Sequence, residues 1–444
     1  MTGRLRVLPR FGQLLLIALG WLAFVRGLQG YSVLSHEALI DATWDPVIAP
    51  MLRRRFPGAT PEQLDAAHGY AYGGCVIQDM GYYPLGNHYF SNLTHYVRSG
   101  DFVLALIEQS HSLNEYAFAL GALSHYVADN IGHPLAVNLS VPDMYPRLRR
   151  EYGSRVTYED DPTAHIMTEF SFDVVQVIGA GYLPRTYHNY IGFRVPKGLL
   201  ERAFQSTYDL KLSHIFLWEG LSLKVYRLGA SEIVPSLGNA VWRHDRKKLL
   251  RVNPQLVKPR FSYRLSAENY QGEPNGRAQH WRPWTWHWKQ RAERADLDVF
   301  SRVLVSILEV LPKVGSLRTL EFKPPTVPVQ EMFVNSFDVT VARYESDVEQ
   351  AESGALTLPD KNLDIGRLGA SGQYALADKT YARLLNGLSN HHFRGMTPEL
   401  RADILSFYRR PEPPAGERQH EWQRTMRQLA ALRRLETGAT VASR

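Results

Sequence analysis

The chain has 444 residues, 44% hydrophobic and 21% charged, which is apolar material enough for a sizeable core and excludes wholesale disorder. Its single cysteine, Cys75, excludes a disulfide framework and a cysteine-built zinc site. The net charge of +7 owes four units to Arg4, Arg6, Arg10 and Arg26, in a leader without acids, and the remainder is too near neutral to argue for nucleic-acid binding by charge.

Residues 1–30 read as a secretory signal peptide. A basic start precedes the apolar run FGQLLLIALGWLAFV at 11–25, which is too short to span a bilayer comfortably. Gly27 and Gly30 offer cleavage points, and an uncleaved signal-anchor is the other reading. The expected location is therefore secreted or periplasmic. Next come apolar residues at three- and four-residue spacing over 36–48, 61–72, 101–108, 113–131 and 162–178, each predicting a helix. Asp101 is positioned to cap the third of these, and Asp161 followed by Pro162 to start the last. The glycine- and tyrosine-rich stretch 73–92 reads as loop.

Helical patterns continue over 195–250. Residues 251–290 are polar and broken by prolines, and Trp281, Trp284, Trp286 and Trp288 crowd their end. That cluster has three readings: loop packing, an anchor at a membrane surface, or a platform for stacking sugars or bases. Helices are predicted again over 292–311, 327–352, 373–388 and 398–408, with a loop at 354–372 and one exposed helix, 417–435, in a charged tail. The fold class is all-α. There is no nucleophile elbow, P-loop or dinucleotide-binding loop.

Histidine is the unusual residue. Of 16 in the chain, His36, His68, His88, His95, His111, His125, His133 and His165 fall within 130 residues of helical sequence. Residues four apart share a helix face, and zinc takes imidazole nitrogen and carboxylate oxygen at about 2.0–2.2 Å, so H-x3-[DE] is a ligand spacing. It occurs as His111/Glu115, His125/Asp129 and His165/Glu169. Any single pair is as well explained by a buried histidine bonded to its acid. The run HYVADNIGHP is more specific, since His125, Asp129 and His133 stack along one face. A rise of roughly 12 Å separates the two histidines, so one ion cannot take both. Pro134 disfavours helical geometry at His133, so the helix is expected to end near Gly132 and His133 to turn off it.

The segment ALGALSHYVADNIGHPLAVN followed by HIMTEF resembles the zinc-dependent phospholipase C superfamily, which includes bacterial phospholipases C and single-strand-specific nucleases. The resemblance implies a multi-helix bundle holding up to three zinc ions. Matched residue by residue, it implies ligands at Tyr31 (as the mature N-terminus), His36, Asp79, His95, His125, Asp129, His133, His165 and Glu169. His88 is a rival to His95, whereas His68, His111/Glu115 and the pair His391 and His392 are expected to be structural or on the surface. Two departures stand out: the studied members have D-x3-P-x-H where this chain has D-x3-H-P, and Tyr31 stands where Trp is usual.

The implied core is 31–190, with 191–444 as a helical extension. The implied chemistry is hydrolysis of a phospholipid at the phosphodiester by a metal-bridging hydroxide. In that arrangement Asp129 bridges the His125 ion and the His36/Tyr31 ion, while His133, His165 and Glu169 hold the remaining one. Asp79 either ligates the His95 ion or acts as general base. Two alternatives stay open. One is a single-strand nuclease, stacking bases on Tyr82, Tyr83, Tyr89 or Phe90. The other is a catalytically silent helical module that keeps a metal for stability.

Overall fold

The computed structural model describes residues 33–178, 193–230, a few positions between 234 and 251, 322–413 and 419–441. The leader, Tyr31, the tryptophan cluster and the helix expected at 292–311 lie outside the described residues. Among those described the fold is all-α, with one short hairpin.

The first helix, α1 (Val33–Thr43), runs through a π turn (Trp44–Ile48) into α2 (Ala49–Arg55). A reciprocal capping box starts α3 (Pro61–Gly74): Gln63 N–H donates to Thr60 Oγ1, and Thr60 N–H to Gln63 Oε1. A 3-10 turn (Ile77–Tyr82) leads to α4 (His88–Tyr96), α5 (Ser99–Glu108) and α6 (Leu113–Gly132). Then follow α7 (Asn138–Met144), α8 (Pro146–Tyr152) and α9 (Pro162–Phe172), the last capped by Asp161, which accepts the Ala164 N–H at 2.9 Å. Helices α10 (Lys197–Tyr208), α11 (Leu212–Ile215) and α12 (Glu219–Leu228) complete this part. Beyond it lie α13 (Val327–Ser353), the antiparallel pair β1 (Lys361–Asn362) and β2 (Arg367–Leu368), α14 (Ala375–Asn390), α15 (Pro398–Phe407) and α16 (Gln419–Val441).

The central element is α6, buried without interruption from Tyr116 to Asp129. A helix apolar on all sides belongs inside, with neighbours around it. Its closest neighbour is α3. A Cβ at Gly121 would stand 2.1 Å from the Ala71 carbonyl oxygen, and one at Gly74 2.0 Å from that of Phe118, so both glycines are required for the two backbones to touch. This contact delivers the Cys75 carbonyl to the side of His125.

Helix α13 closes the other flank. Phe333 stacks on Phe172 with centroids 4.6 Å apart, and Tyr344 OH donates to the Leu120 carbonyl at 2.8 Å. A single apolar cluster runs from Val33 to Leu432, so the regions before and after residue 190 share one core. No helix among the described residues is long and apolar enough to cross a membrane.

Three local expectations are corrected. The stretch 73–92 is largely helical: the 3-10 turn packs as buried core, and Asn87 caps α4 by accepting the Tyr89 N–H. Asp101 does not cap α5. The Gly100 and Asp101 N–H groups donate instead to Asp360, some 260 residues later, and Asp101 pairs with Arg98. The α-helix does end at Gly132, but His133 does not turn off its axis. His133 keeps helical dihedrals (φ −61°, ψ −57°), and a π turn (His133–Val137) carries the path into α7. Pro134 offers no N–H, and the widened turn accommodates its ring without breaking the axis.

Candidate metal centre

Helix α6 and the π turn that continues it present His125, Asp129 and His133 in line, and the neighbouring elements bring the remaining residues to them. Three groups result, all buried: His36, His125 and Asp129; Asp79, His95 and His125; His133, His165 and Glu169. Each described residue that the sequence nominated is in one of them, whereas Tyr31 lies outside the described residues. His88 stands apart, edge-on to Tyr82. His68 is a core residue, 2.8 Å from Asp41 and stacked on Trp44. Glu115 accepts the His111 backbone N–H at the start of α6, and His391 and His392 are exposed beyond α14.

Local structure sets the tautomers of two imidazoles. His95 Nδ1 is 2.7 Å from the Ser91 carbonyl, one turn back on α4, and His125 Nδ1 is 3.0 Å from the Cys75 carbonyl. A carbonyl only accepts, so both Nδ1 atoms carry the proton and both Nε2 atoms turn a lone pair inward. These two Nε2 atoms face each other at 3.3 Å. Asp129 Oδ2 lies 3.1 Å from His125 Nε2 and 3.4 Å from His95 Nε2, and Asp79 Oδ1 lies 3.4 Å from His95 Nε2. Ligands about 2.1 Å from a tetrahedral ion stand roughly 3.4 Å apart, so the spacing suits zinc.

The other Asp129 oxygen serves the other groups. Oδ1 is 3.6 Å from His36 Nε2 and 3.9 Å from His133 Nε2, and the His36 and His125 rings are stacked at 4.5 Å. Glu169 Oε1 is 2.9 Å from His165 Nε2 and 3.4 Å from His133 Nε2. Among the described residues, Asp79 Oδ1, both Asp129 oxygens, both nitrogens of His133 and of His165, and Glu169 Oε1 are buried without a hydrogen bond. Acceptors gathered in a dry interior repel one another unless a cation stands among them. The donor set therefore fits metal ions.

The electrostatics agree. Burial alone would raise Asp129, yet the imidazoles of His125 and His133 hold it well below the usual carboxylate range. Burial, reinforced by His125, pushes His36 well below its ordinary value and keeps it neutral, as a ligand must be. Burial raises Asp79. Burial works against the proton on His95, but Asp129 and Asp79 outweigh it and lift this imidazole to about 9, so without a metal a proton takes the metal's place.

One residue of the site escaped the sequence reading. Asp364, in the turn between β1 and β2, is 2% exposed and 3.3 Å from His133 Nδ1. It lies almost two hundred residues beyond Glu169 and in no recognisable motif; the only signal is the acid- and Asn-rich turn PDKNLDIG. Of the four aromatic residues offered for base stacking, only Tyr82 stands by a site imidazole, 6.0 Å from His95. Tyr83 packs edge-on to Tyr226 while its hydroxyl feels the charge of Asp79, whereas Phe90 packs on Phe204 and Tyr89 lies under Arg383. A cavity of about 500 Å3 bordered by Arg55, Phe56 and Leu113 shares no residue with the centre.

Helices carrying His36, Asp79 and His95, then H-x3-D-x3-H, then H-x3-E, all turned toward one interior, form an ordered pattern. Residues 35–216 match the family described as zinc-dependent phospholipase C. The match includes every described candidate ligand and ends before α12; Asp364 falls outside it. It supports a phospholipase-C-type function at the level of the family, with zinc as the metal. Neither the curated proteins nor the solved structures contain a match to the chain.

Proposed function

We propose that this protein is a secreted zinc-dependent phospholipase C, hydrolysing the phosphodiester of a phospholipid on the glycerol side. The observation that carries the metal reading is the pair of inward Nε2 lone pairs of His95 and His125, 3.3 Å apart between two carboxylates. When bound, zinc lowers the pKa of a coordinated water and offsets charge on the phosphoryl oxygens.

The chain's own part is to hold donors in place. The carbonyls of Ser91 and Cys75 keep the protons of His95 and His125 on Nδ1, so that Nε2 stays free to ligate. Asp129, whose Oδ1 faces His36 and whose Oδ2 faces His125, would serve neighbouring ions, and His133, His165 and Glu169 would hold the third. Asp79 Oδ1 is at ligand spacing from His95, which favours ligation over a role as general base. Tyr31 completes the His36 position with its α-amine if the leader is removed after Gly30. Asp173 supports that arrangement, since its carboxylate accepts the N–H groups of Leu34 and Ser35 at 2.9 and 3.0 Å and fixes the start of α1. Tyr89 and Phe90 pack against Arg383 and Phe204, away from the centre, which favours a lipid over a stacked base.

The test compares the exported protein on phosphatidylcholine vesicles and on single-stranded DNA, with N-terminal sequencing and zinc counting on the same sample. Release of diacylglycerol, abolished by a chelator and restored by zinc, is the expected result. Cleavage of DNA alone would move the chain to the nuclease reading, and a zinc-free, inert protein would leave only a binding module.

A further inference from the structure

Among the described residues His133, unlike His95 and His125, has no carbonyl to take its Nδ1 proton. It stands on the π turn, where its Nε2 faces Glu169 and Asp129 at 3.4 and 3.9 Å. What faces its Nδ1 is Asp364 Oδ1, at 3.3 Å. We infer that Asp364, supplied by the region outside the family match, is a positioning residue that holds the proton of His133 on Nδ1 and turns Nε2 toward the third zinc position. The inference rests on the zinc reading above and extends it to a residue the family pattern does not contain.

The turn is built to deliver this one oxygen. Asp364 Oδ2 is already taken, accepting the Tyr158 N–H at 3.0 Å and the Tyr374 hydroxyl. That leaves Oδ1 buried and, among the described residues, without a hydrogen bond. The backbone is fixed on both sides. Asn138 Nδ2 donates to the Asp364 carbonyl at 2.7 Å, and the Leu363 N–H donates to the carbonyl of His95 at 3.0 Å. Gly366, at φ +67°, ends the turn against the corner it serves: a Cβ there would lie 2.7 Å from the Asn130 carbonyl oxygen and 3.0 Å from Pro134 Cγ. Asp364 Oδ1 also stands 4.0 Å from His165 Nε2, but Asp364 belongs to none of the three ligand groups and lies on the Nδ1 side of His133, which argues for orientation over direct ligation. A carboxylate behind a ligating histidine fixes its tautomer and ring and makes it a better donor.

The experiment measures zinc affinity of the full chain by competition with a chromophoric chelator, alongside NMR of the histidine rings in the zinc-loaded protein. In Asp364→Asn one ion should bind about 10- to 100-fold more weakly while the others are retained. The deshielded Nδ1 proton of His133 should move upfield, and Asp364→Glu should restore part of the affinity. Tyr374→Phe, which leaves the turn and the carboxylate in place, should cost a smaller factor and covers the case in which Asp364→Asn fails to fold. Unchanged affinity and an unchanged His133 resonance in a folded Asp364→Asn overturn the inference while leaving the zinc reading intact. A wild-type protein that takes up no zinc overturns both.

Discussion

Residues 35–216 and the segment from 322 onward meet at His133, and they hold the centre by different means. In the first, ligands sit on helices at four-residue spacing, and the acceptors that orient His95 and His125 are backbone carbonyls of Ser91 and Cys75. In the second, a short turn braced by its own side chains sends one carboxylate across to His133, while Asp360 caps α5 and α13 lies along α6. The difference teaches that a helical ligand pattern can be complete as a pattern and still draw part of its rigidity from a distant piece of chain.

The sharpest way to break this comparison is inside the first region. Asp129→Asn removes a charge from a carboxylate whose two oxygens face different groups, so phospholipid hydrolysis should fall by about a thousandfold or more. Helical circular dichroism should persist, since Asn preserves the shape. Wild-type rates in a folded variant would remove Asp129 from the chemistry.

In the second region the expected loss is of stability. Phe333 is fully buried and stacked on Phe172, so Phe333→Ala should cost about 3–5 kcal/mol, read as a lower denaturation midpoint. If α13 is an independent appendage, the main transition will not move. If it is part of the shared core, the whole chain will unfold earlier, in one step.

A smaller effect concerns pH. Burial, then the charge of Asp360, pushes Asp403 up to about 7, and the Tyr381 hydroxyl donates to it. A carboxyl whose pKa is raised on folding binds its proton more tightly in the native state. The stability it contributes is fully present below about pH 4 and is lost as pH rises through about 7. Glu159, raised to about 7, and Asp360, raised to about 6, both chiefly by burial, act in the same direction. Asp403→Asn should therefore flatten the decline between pH 4 and 7 and be more stable than wild type at pH 8. Urea midpoints at pH 5 and pH 8 measure this, and parallel curves for the two proteins would contradict it.

Much of this was legible in the sequence, for identifiable reasons. The spacing of apolar residues gave α3, α6, α13 and α14 to within a few residues, because α3, α13 and α14 each bury one periodic face and α6 carries apolar residues on every side. His125, Asp129, His165 and Glu169 were legible because four-residue spacing fixes a common face. Helix α4 was missed because its residues are mostly aromatic or the weak helix formers Ser91, Asn92 and Thr94, and Gly81 and Gly86 precede it; a cap at Asn87 and tertiary burial override that propensity. The course of the chain at His133 was misjudged because the local preference before proline yields to a π turn. Asp364 carries no periodicity at all. The turn PDKNLDIG marks it only as polar, and folding alone brings it to His133.

The central claim is that a cation belongs between His95 and His125. Diffraction data collected on either side of the zinc absorption edge, from crystals of the exported protein, test it directly. The account predicts an anomalous peak about 2.0–2.2 Å from Nε2 of both histidines and from Asp79 and Asp129. Zinc-supplied crystals with no peak among those four side chains would contradict it.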